Sequence, residues 1–292
     1  MDIQALIAFI EIAECGSFSL AAQNLHLTQP AVSKRIAGLE SRLGARLLDR
    51  MGRRARLTQA GALLLPRARA IVRAMQLAEQ EIRDLSDTVS GTLHLATSHH
   101  IGLHRLPPVL RAFSDRYPAV RLNIEFTDSE KAHDAVSRGE IELAVITLSP
   151  EESSRVDARL LWHDPLSFVA APDHPLAAAA ALSLQQLSEH ANVLPGLDTY
   201  TGQIVKRLFD AHGLPLDTLM ASNYMETIKM MVSVGLGWSV LPRSMLDSSL
   251  AELPVLTPAL SRQLGYISNR RHSLSNAASA FIQLLRSAAA PS

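Results

Sequence analysis

The first part of the fold is decided by residues 17–44, which read SFSLAAQNLHLTQPAVSKRIAGLESRLG. A short helix fits Ser19–Leu25, and another begins after Thr28, whose hydroxyl can cap it. Pro30 lies in the first turn, where a missing N–H costs little, and Gly44 is a helix-stop signal. One stripe of this helix is apolar and should face a core: Val32, Ile36, Leu39 and Leu43.

The opposite face of this helix is polar. It presents Pro30 and Lys34, with Gln29 and Ser33 toward its side and its N-terminal end. A short helix, a tight turn and a second helix form the geometry by which a recognition helix enters the DNA major groove. Gln29 can read adenine through its paired donor and acceptor, and Lys34 can contact guanine or phosphate.

Basic residues cluster after this helix begins, although the whole chain is neutral, with 28 Lys+Arg against 28 Asp+Glu. A local basic stretch is an electrostatic footprint for phosphate, and a solvated basic surface is the alternative. Residues 45–58 predict a β-wing from which Arg53 or Arg54 can lie along the DNA backbone or in the minor groove. The basic residues between positions 34 and 56 are Lys34, Arg35, Arg42, Arg46, Arg50, Arg53, Arg54 and Arg56.

Residues 59–90 predict a long helix and a hinge, with a linker composition at 86–91. Apolar residues alternate at spacings of four and three, the seam of a coiled coil. This favours dimerisation, and a helix packed on its own domain is the alternative. The seam consists of Leu64, Ala68, Ile71, Met75, Ala78, Ile82 and Leu85.

Residues 91–292 alternate strand and helix signals, which indicates an α/β domain with parallel strands. Strands are predicted at Thr92–Ala96, Val120–Phe126, Leu143–Thr147 and Gln263–Ser268, and helices at Leu106–Tyr117, Lys131–Ser137 and Ser275–Ser287. Similar strand and helix signals recur at Leu166–Ala171, Ile204–His212, Glu226–Val234 and Trp238–Pro242.

The chain resembles the LysR-type transcriptional regulators. The matching residues are Ser17 to Ala22, Leu25, Thr28 to Ser33, Ile36, Leu39-Glu40, Leu43-Gly44, Arg50 and Leu57-Thr58-x-x-Gly61. Leu48 stands where the family usually has Phe. Later matches are Leu106-Pro107, Arg116-Tyr117-Pro118, Ala171-Pro172-x-His174-Pro175-Leu176 and Gly235-Leu236-Gly237-x-x-x-Leu241-Pro242.

This resemblance implies a winged helix-turn-helix domain at 1–58, a dimerising linker helix at 59–90, and an effector domain at 91–292. The effector domain would have two Rossmann-like lobes, as in periplasmic binding proteins, with lobe one at 91–161 plus 267–292 and lobe two at 162–266. The expected partners are operator DNA, a small anionic metabolite, a second or further copies of the chain (homodimer or homotetramer) and RNA polymerase. The residues implied at DNA are Gln29, Pro30, Ser33, Lys34, Arg50, Arg53 and Arg54.

The effector is expected where the first strand of the α/β region meets a helix, at residues 97–100. Free N–H groups and hydroxyls there suit an anion. Ser98 and His100 are the leading contacts, with Ser129, Thr147 and Thr201 facing them in the implied fold. Each of these residues could alternatively serve only as a cap or turn.

No cofactor, metal or enzymatic site is expected. His99, His100 and His104 are near one another, but no Cys or acidic residue is nearby in sequence to complete a metal site. Catalytic elbows and phosphate loops are missing from the sequence. The single cysteine, Cys15, and the lack of a signal sequence or an apolar run of membrane length indicate a cytoplasmic protein. The alternatives are a solute-binding protein and an α/β enzyme with an appended interaction domain.

Overall fold

A computed structural model describes residues 2–51, 54–83 and 88–289. The chain divides into two compact units, Met1–Asp87 with Arg138–Glu140 and Thr88–Ser137 with Ile141–Ser292, and each is described by itself. In the described ranges, no single helix is long and apolar enough to span a membrane; one bent pair of helices, Ile3–Cys15 with Phe18–Asn24, meets the length and composition together.

The first unit is a winged helix-turn-helix followed by a long helix. Its elements are α1 (Ile3–Cys15), α2 (Phe18–Asn24), α3 (Gln29–Leu43), β1 (Leu48–Met51), β2 (Arg54–Leu57) and α4 (Gln59–Arg83). The two strands pair in antiparallel register, which forms the wing.

The helices of this unit begin and end where local chemistry predicts. The Thr28 hydroxyl accepts from the Ala31 N–H at the start of α3, and Ser17 caps α2 in the same way. Gly16 and Gly44 end α1 and α3 in the left-handed conformation that glycine adopts without strain. Val32, Ile36 and Leu39 are buried as expected, but Leu43, the last residue of α3, is 43% exposed.

The wing is fixed to the helices by specific contacts. One carboxylate oxygen of Glu40 accepts from the N–H groups of Leu47 (2.7 Å) and Leu48 (3.2 Å). At Gly61 on α4, an added Cβ would lie 2.1 Å from the Leu47 carbonyl oxygen, so only glycine permits this approach of helix to wing. These contacts explain the local role of Glu40 and Gly61 in the sequence.

The long helix α4 changes character along its length. Ala68 is fully buried in the core of the first unit and Leu64 packs against that core. Farther along, Ile71 is 40% and Ile82 71% exposed, and Ala78 is exposed. The beginning of the apolar seam therefore packs on its own domain, as in the alternative to dimerisation. The later part of the seam is not covered by the described residues of this chain. Residues 84–87, which include the last residue of the seam, Leu85, lie outside the described residues.

The second unit is a two-lobed α/β domain. Its first-lobe elements are β3 (Gly91–Thr97), α5 (His99–His104), α6 (Pro107–Arg116), β4 (Val120–Phe126), α7 (Ser129–Ser137) and β5 (Leu143–Thr147). The long strand β6 (Val156–Ala170) leads to α8 (Leu184–Ser188), β7 (Val193–Leu194), α9 (Tyr200–Ala211), β8 (Met220–Ala221), α10 (Met225–Ser233), β9 (Ser239–Pro242) and β10 (Ala251–Glu252) of the second lobe. The chain returns through β11 (Leu260–Asn269) to α11 (Asn276–Ala289).

One sheet runs through both lobes in the order β10-β6-β11-β5-β3-β4, with β9 also paired to β6. The strands β4, β3 and β5 are parallel as expected, whereas β11 is antiparallel to β5 and β6. The predicted parallel pairing therefore holds for β3, β4 and β5, and the antiparallel pairs come from β6 and β11, long strands that carry the chain to the second lobe and back. Separate apolar clusters fill the two lobes.

Candidate functional site

The exposed surface of α3 carries the predicted DNA contacts of the first unit. Gln29, Pro30 and Lys34 are exposed and Ser33 is half-buried, while the opposite stripe lies in the core. The Ser19 hydroxyl donates to Gln29 Oε1 (3.2 Å), which links α2 to the start of α3. This is the arrangement by which a recognition helix presents its N-terminal residues to base edges.

The wing adds cations to the same unit. Arg54 and Arg56 lie on β2 with exposed side chains. Arg53 and the side chain of Arg50, both predicted at DNA, lie outside the described residues. The described cations suit contacts with phosphate oxygens, which position a protein on DNA without reading its sequence.

A cavity of about 200 Å³ lies in the second unit, and all five predicted effector residues line it. Ser98 and His100 come from the start of α5, Ser129 from α7, and Thr147 from the end of β5. Thr201 comes from α9 of the second lobe. The cavity therefore lies in the cleft between the lobes, where ligand sites of such open α/β folds occur.

The cavity hydroxyls differ in how they are used. The Ser129 hydroxyl accepts a hydrogen bond from the Thr147 N–H (3.1 Å), which holds α7 against β5. Part of the hydrogen-bonding capacity of this hydroxyl is therefore already used. Ser98 is the N-cap of α5, yet its side chain makes no capping hydrogen bond. Ser98 thus offers a hydroxyl to the cavity at no cost to the helix.

Sequence reasoning missed the main charged group of the cavity, Arg262 on β11. Its Nε donates to Asp164 Oδ2 (2.8 Å) and its Nη1 to the Thr201 hydroxyl (3.4 Å). Arg105 also donates to Asp164, at 3.2 Å. Arg262 is 4% exposed and Asp164 1%, and Arg262 Nη2 has no hydrogen-bond partner among the described residues. One signal was available, since an arginine at an inward position of a strand requires a partner.

The side of the cavity near α7 is acidic. Asp128 pairs with Lys131 at 2.8 Å, and the Glu130 carboxylate accepts from the N–H of Tyr200, which joins α7 to α9. Burial raises the pKa of Glu130 above its usual value, and the Tyr200 hydrogen bond opposes that shift. The proton on Glu130 is therefore held to higher pH than on an exposed carboxyl.

His100 and His104 share one face of α5, and Glu226 at the start of α10 meets them. Glu226 Oε1 lies 2.9 Å from His104 Nε2 and 3.6 Å from His100 Nδ1. Burial, and next the nearby Arg262, lower the pKa of His100 from 6.5 to about 4. The expectation that no acidic residue accompanies these histidines is correct for neighbours in sequence but wrong in space, because Glu226 arrives from the other lobe.

Two family profiles match the chain. Residues 3–62 match the bacterial regulatory helix-turn-helix protein, lysR family, and residues 86–290 match the LysR substrate binding domain. The chain belongs to the LysR family. It is 33% identical to a probable nitrogen assimilation transcriptional activator of Synechococcus elongatus, over 90% of this chain and 87% of that protein. It is 29% identical to a RuBisCO operon transcriptional regulator of Allochromatium vinosum, over 99% and 97% of the two chains.

Solved structures agree on the fold of this LysR-family chain. Full-length CbnR in complex with its target DNA matches with a TM-score of 0.70 at 19% identity, over 99% of this chain and 100% of that one. The chain is therefore a DNA-binding transcriptional regulator with a substrate-binding domain that takes small-molecule effectors. The solute-binding and enzymatic alternatives have no support, since these relatives are regulators rather than enzymes.

Proposed function

We propose that this regulator reads an operator with α3 and the wing, and that a small anion bound in the cleft changes its DNA binding. The anion site is supported most directly by Arg262, whose buried guanidinium lines the cavity with one nitrogen unpartnered in the described part of the chain. A buried donor of this kind is costly unless a ligand or water satisfies it.

Local charge supports an anion. Arg262, Arg105 and Asp164 together carry one net positive charge, and Nη2 of Arg262, which has no partner among the described residues, can donate a charge-assisted hydrogen bond to an anion oxygen. Hydroxyl donors of Ser98 and Thr201 line the same space. The volume of about 200 Å³ is below the usual range for drug-sized ligands, which favours a small metabolite.

In the proposed DNA complex, Gln29 reads a base, Lys34 contacts guanine or phosphate, and Ser33 and Pro30 position the helix. Arg54, with Arg50 and Arg53, contacts the backbone. The support is that Gln29, Pro30, Lys34 and Arg54 are exposed on the same unit while Val32, Ile36 and Leu39 of α3 lie in its core.

Self-association is proposed to use α4. Ile71 and Ile82 are exposed, and with Met75 and Ala78 they continue the apolar seam that Leu64 begins. Large apolar side chains that recur on one helix face at coiled-coil spacing are stabilised by a second helix. A two-fold pair of readers would gain affinity and fix the spacing of operator half-sites.

Effector binding can change operator binding only if the effector has different affinities for the DNA-bound and the free arrangement of the regulator. The cleft suits this role, because contacts from both lobes, Ser98 and Thr201, line one cavity. RNA polymerase contact is a further proposal that follows from the family alone.

The test is a thermal-shift screen of the full chain with small mono- and dicarboxylates, each paired with its uncharged amide. A cleft anion should stabilise by about 2.7 kcal/mol at a hundredfold excess over its dissociation constant. The stabilisation should be clearly smaller in Thr201→Val, which loses one hydroxyl donor of the cavity, and should persist in Ser287→Ala, an exposed serine on α11. Amides that stabilise as well as acids, or equal shifts in Thr201→Val, would contradict an anion site in this cleft.

A further inference from the structure

His100, His104 and Glu226 form a compact set of donor atoms beside the effector cavity. One donor atom from each residue lies within 4.8 Å of the other two. The two histidines are four residues apart on α5, so they share a helix face, and the centroids of their rings are 4.7 Å apart. Glu226 reaches them from α10.

The set has unused binding capacity. His100 is 4% exposed, and neither of its ring nitrogens has a hydrogen-bond partner in the described part of the chain. Glu226 Oε2 is likewise buried without a partner there. Most buried polar atoms in proteins are satisfied, so three such atoms in one place call for a ligand.

We propose that His100, His104 and Glu226 bind one divalent transition-metal ion, Zn²⁺ in the first instance. Two imidazoles and a carboxylate are a known donor set for Zn²⁺, and three protein ligands leave a coordination position open. Donor atoms around tetrahedral Zn²⁺ lie about 3.3 Å apart, given Zn–N and Zn–O lengths of about 2.0–2.1 Å. The separations of Glu226 Oε1 from His104 Nε2 (2.9 Å) and His100 Nδ1 (3.6 Å) are close to this value.

The charges around the set allow a cation. Arg262 lies close enough to act on His100 and Glu226, but it pairs with Asp164, as Arg105 does, and Glu226 supplies a second negative charge. The metal and an anion in the cavity would also attract each other.

A bound ion would join the lobes, since α5 belongs to the first and α10 to the second. The inference goes beyond the proposed effector site and does not depend on it, because the metal alone is the ligand. It predicts that Zn²⁺ raises the melting temperature of the second unit with no effector present.

The experiment is calorimetric titration of the chelator-treated full chain with Zn²⁺ near neutral pH. The variants are His104→Gln and Glu226→Gln, and the control is His272→Gln, which removes an exposed histidine far along the sequence. Even outer-shell changes weaken metal binding 10–100-fold, so loss of a direct ligand should weaken it at least about 100-fold. Co²⁺ substitution gives a second readout, because its visible absorption reports the coordination geometry.

One Zn²⁺ per chain, lost in both variants and kept in His272→Gln, would support the site. His104 and Glu226 are 47% and 34% exposed at their side chains, so both variants should fold, which melting of the metal-free proteins checks. Absence of stoichiometric binding, or equal binding by wild type and both variants, would overturn the proposal. In either case the carboxylate screen tests the anion site separately.

Discussion

Arg262 and Asp164 form an ion pair of 2.8 Å with side chains 3% and 1% exposed, on two strands that are neighbours in the sheet. A buried charge left without its partner is strongly destabilising, whereas an apolar pair of similar volume is tolerated. Asp164 therefore holds the Arg262 guanidinium in place, and the stability of the cleft depends on this one carboxylate.

Asp164→Asn should lower the free energy of unfolding of the second unit by about 3–5 kcal/mol, because Arg262 remains buried and charged. Asp164→Leu combined with Arg262→Met should recover most of that loss. Denaturant unfolding followed by tryptophan fluorescence measures this unit alone, since both tryptophans of the chain, Trp162 and Trp238, lie in it. If the double variant is no more stable than Asp164→Asn, the loss of stability in Asp164→Asn does not come from leaving the Arg262 charge unpaired.

Glu130→Gln should strengthen anion binding near neutral pH and flatten its pH dependence. Burial raises the pKa of Glu130, so the wild-type carboxyl gains its proton as pH falls from neutral, and the cavity then loses one negative charge. Wild-type affinity for an anion should therefore rise on acidification, while that of the variant stays level. Sulfate is a suitable probe because its charge is constant over this range, and parallel pH profiles for the two proteins would refute the prediction.

Ile71→Glu with Ile82→Glu should dissociate the oligomer, because it buries unpaired carboxylates at an apolar helix seam. Sedimentation and light scattering of the full chain give the mass directly. Gln76→Glu is the matched control, since it adds charge at an exposed position of α4 off the seam. If the double variant keeps the wild-type mass, the exposed isoleucines do not form the interface.

Gln29→Ala and Arg54→Ala should affect DNA binding in different ways. Loss of a base contact should cost about 1–3 kcal/mol of discrimination at one operator position, measured with sites selected from a random duplex pool. Loss of a phosphate contact should weaken all sequences alike and lower the salt dependence by about one unit of slope. Arg159→Ala, an exposed arginine of the second unit, controls for net charge. Unchanged specificity in Gln29→Ala would remove it from base readout.

The sequence predicted the local features well because their causes are local. Thr28 caps α3 through its own neighbours, and Gly44 ends it by its own backbone freedom. The observed bounds of β4 and β5 are also the predicted ones, the first strand having an alternating pattern and the second a short apolar run. The first half of β6 was missed, because residues 156–165 mix polar and apolar side chains without the alternation of a half-buried strand.

The site was only partly predictable. Ser98 and His100 follow a strand, where parallel sheets place ligands, but their charged neighbours come from distant parts of the chain. Arg262 meets Asp164 across 98 residues and Glu226 meets His104 across 122. No local pattern encodes such pairs, since the first depends on the pairing of β6 with β11 and the second on how α5 and α10 are brought together.

The most direct test of the account is operator affinity, measured by fluorescence anisotropy with and without the anion found in the screen, for wild type and Ser98→Ala. Ser98 uses its hydroxyl for no cap, so the variant should keep its melting temperature and its effector-free operator affinity. Loss of one hydrogen bond to a charged ligand should weaken effector binding by roughly ten- to a hundredfold, and the effector response should shift to correspondingly higher concentration. If wild-type operator affinity does not respond to any anion that stabilises the chain, or if stable Ser98→Ala responds as wild type does, the proposed cleft sensor is contradicted.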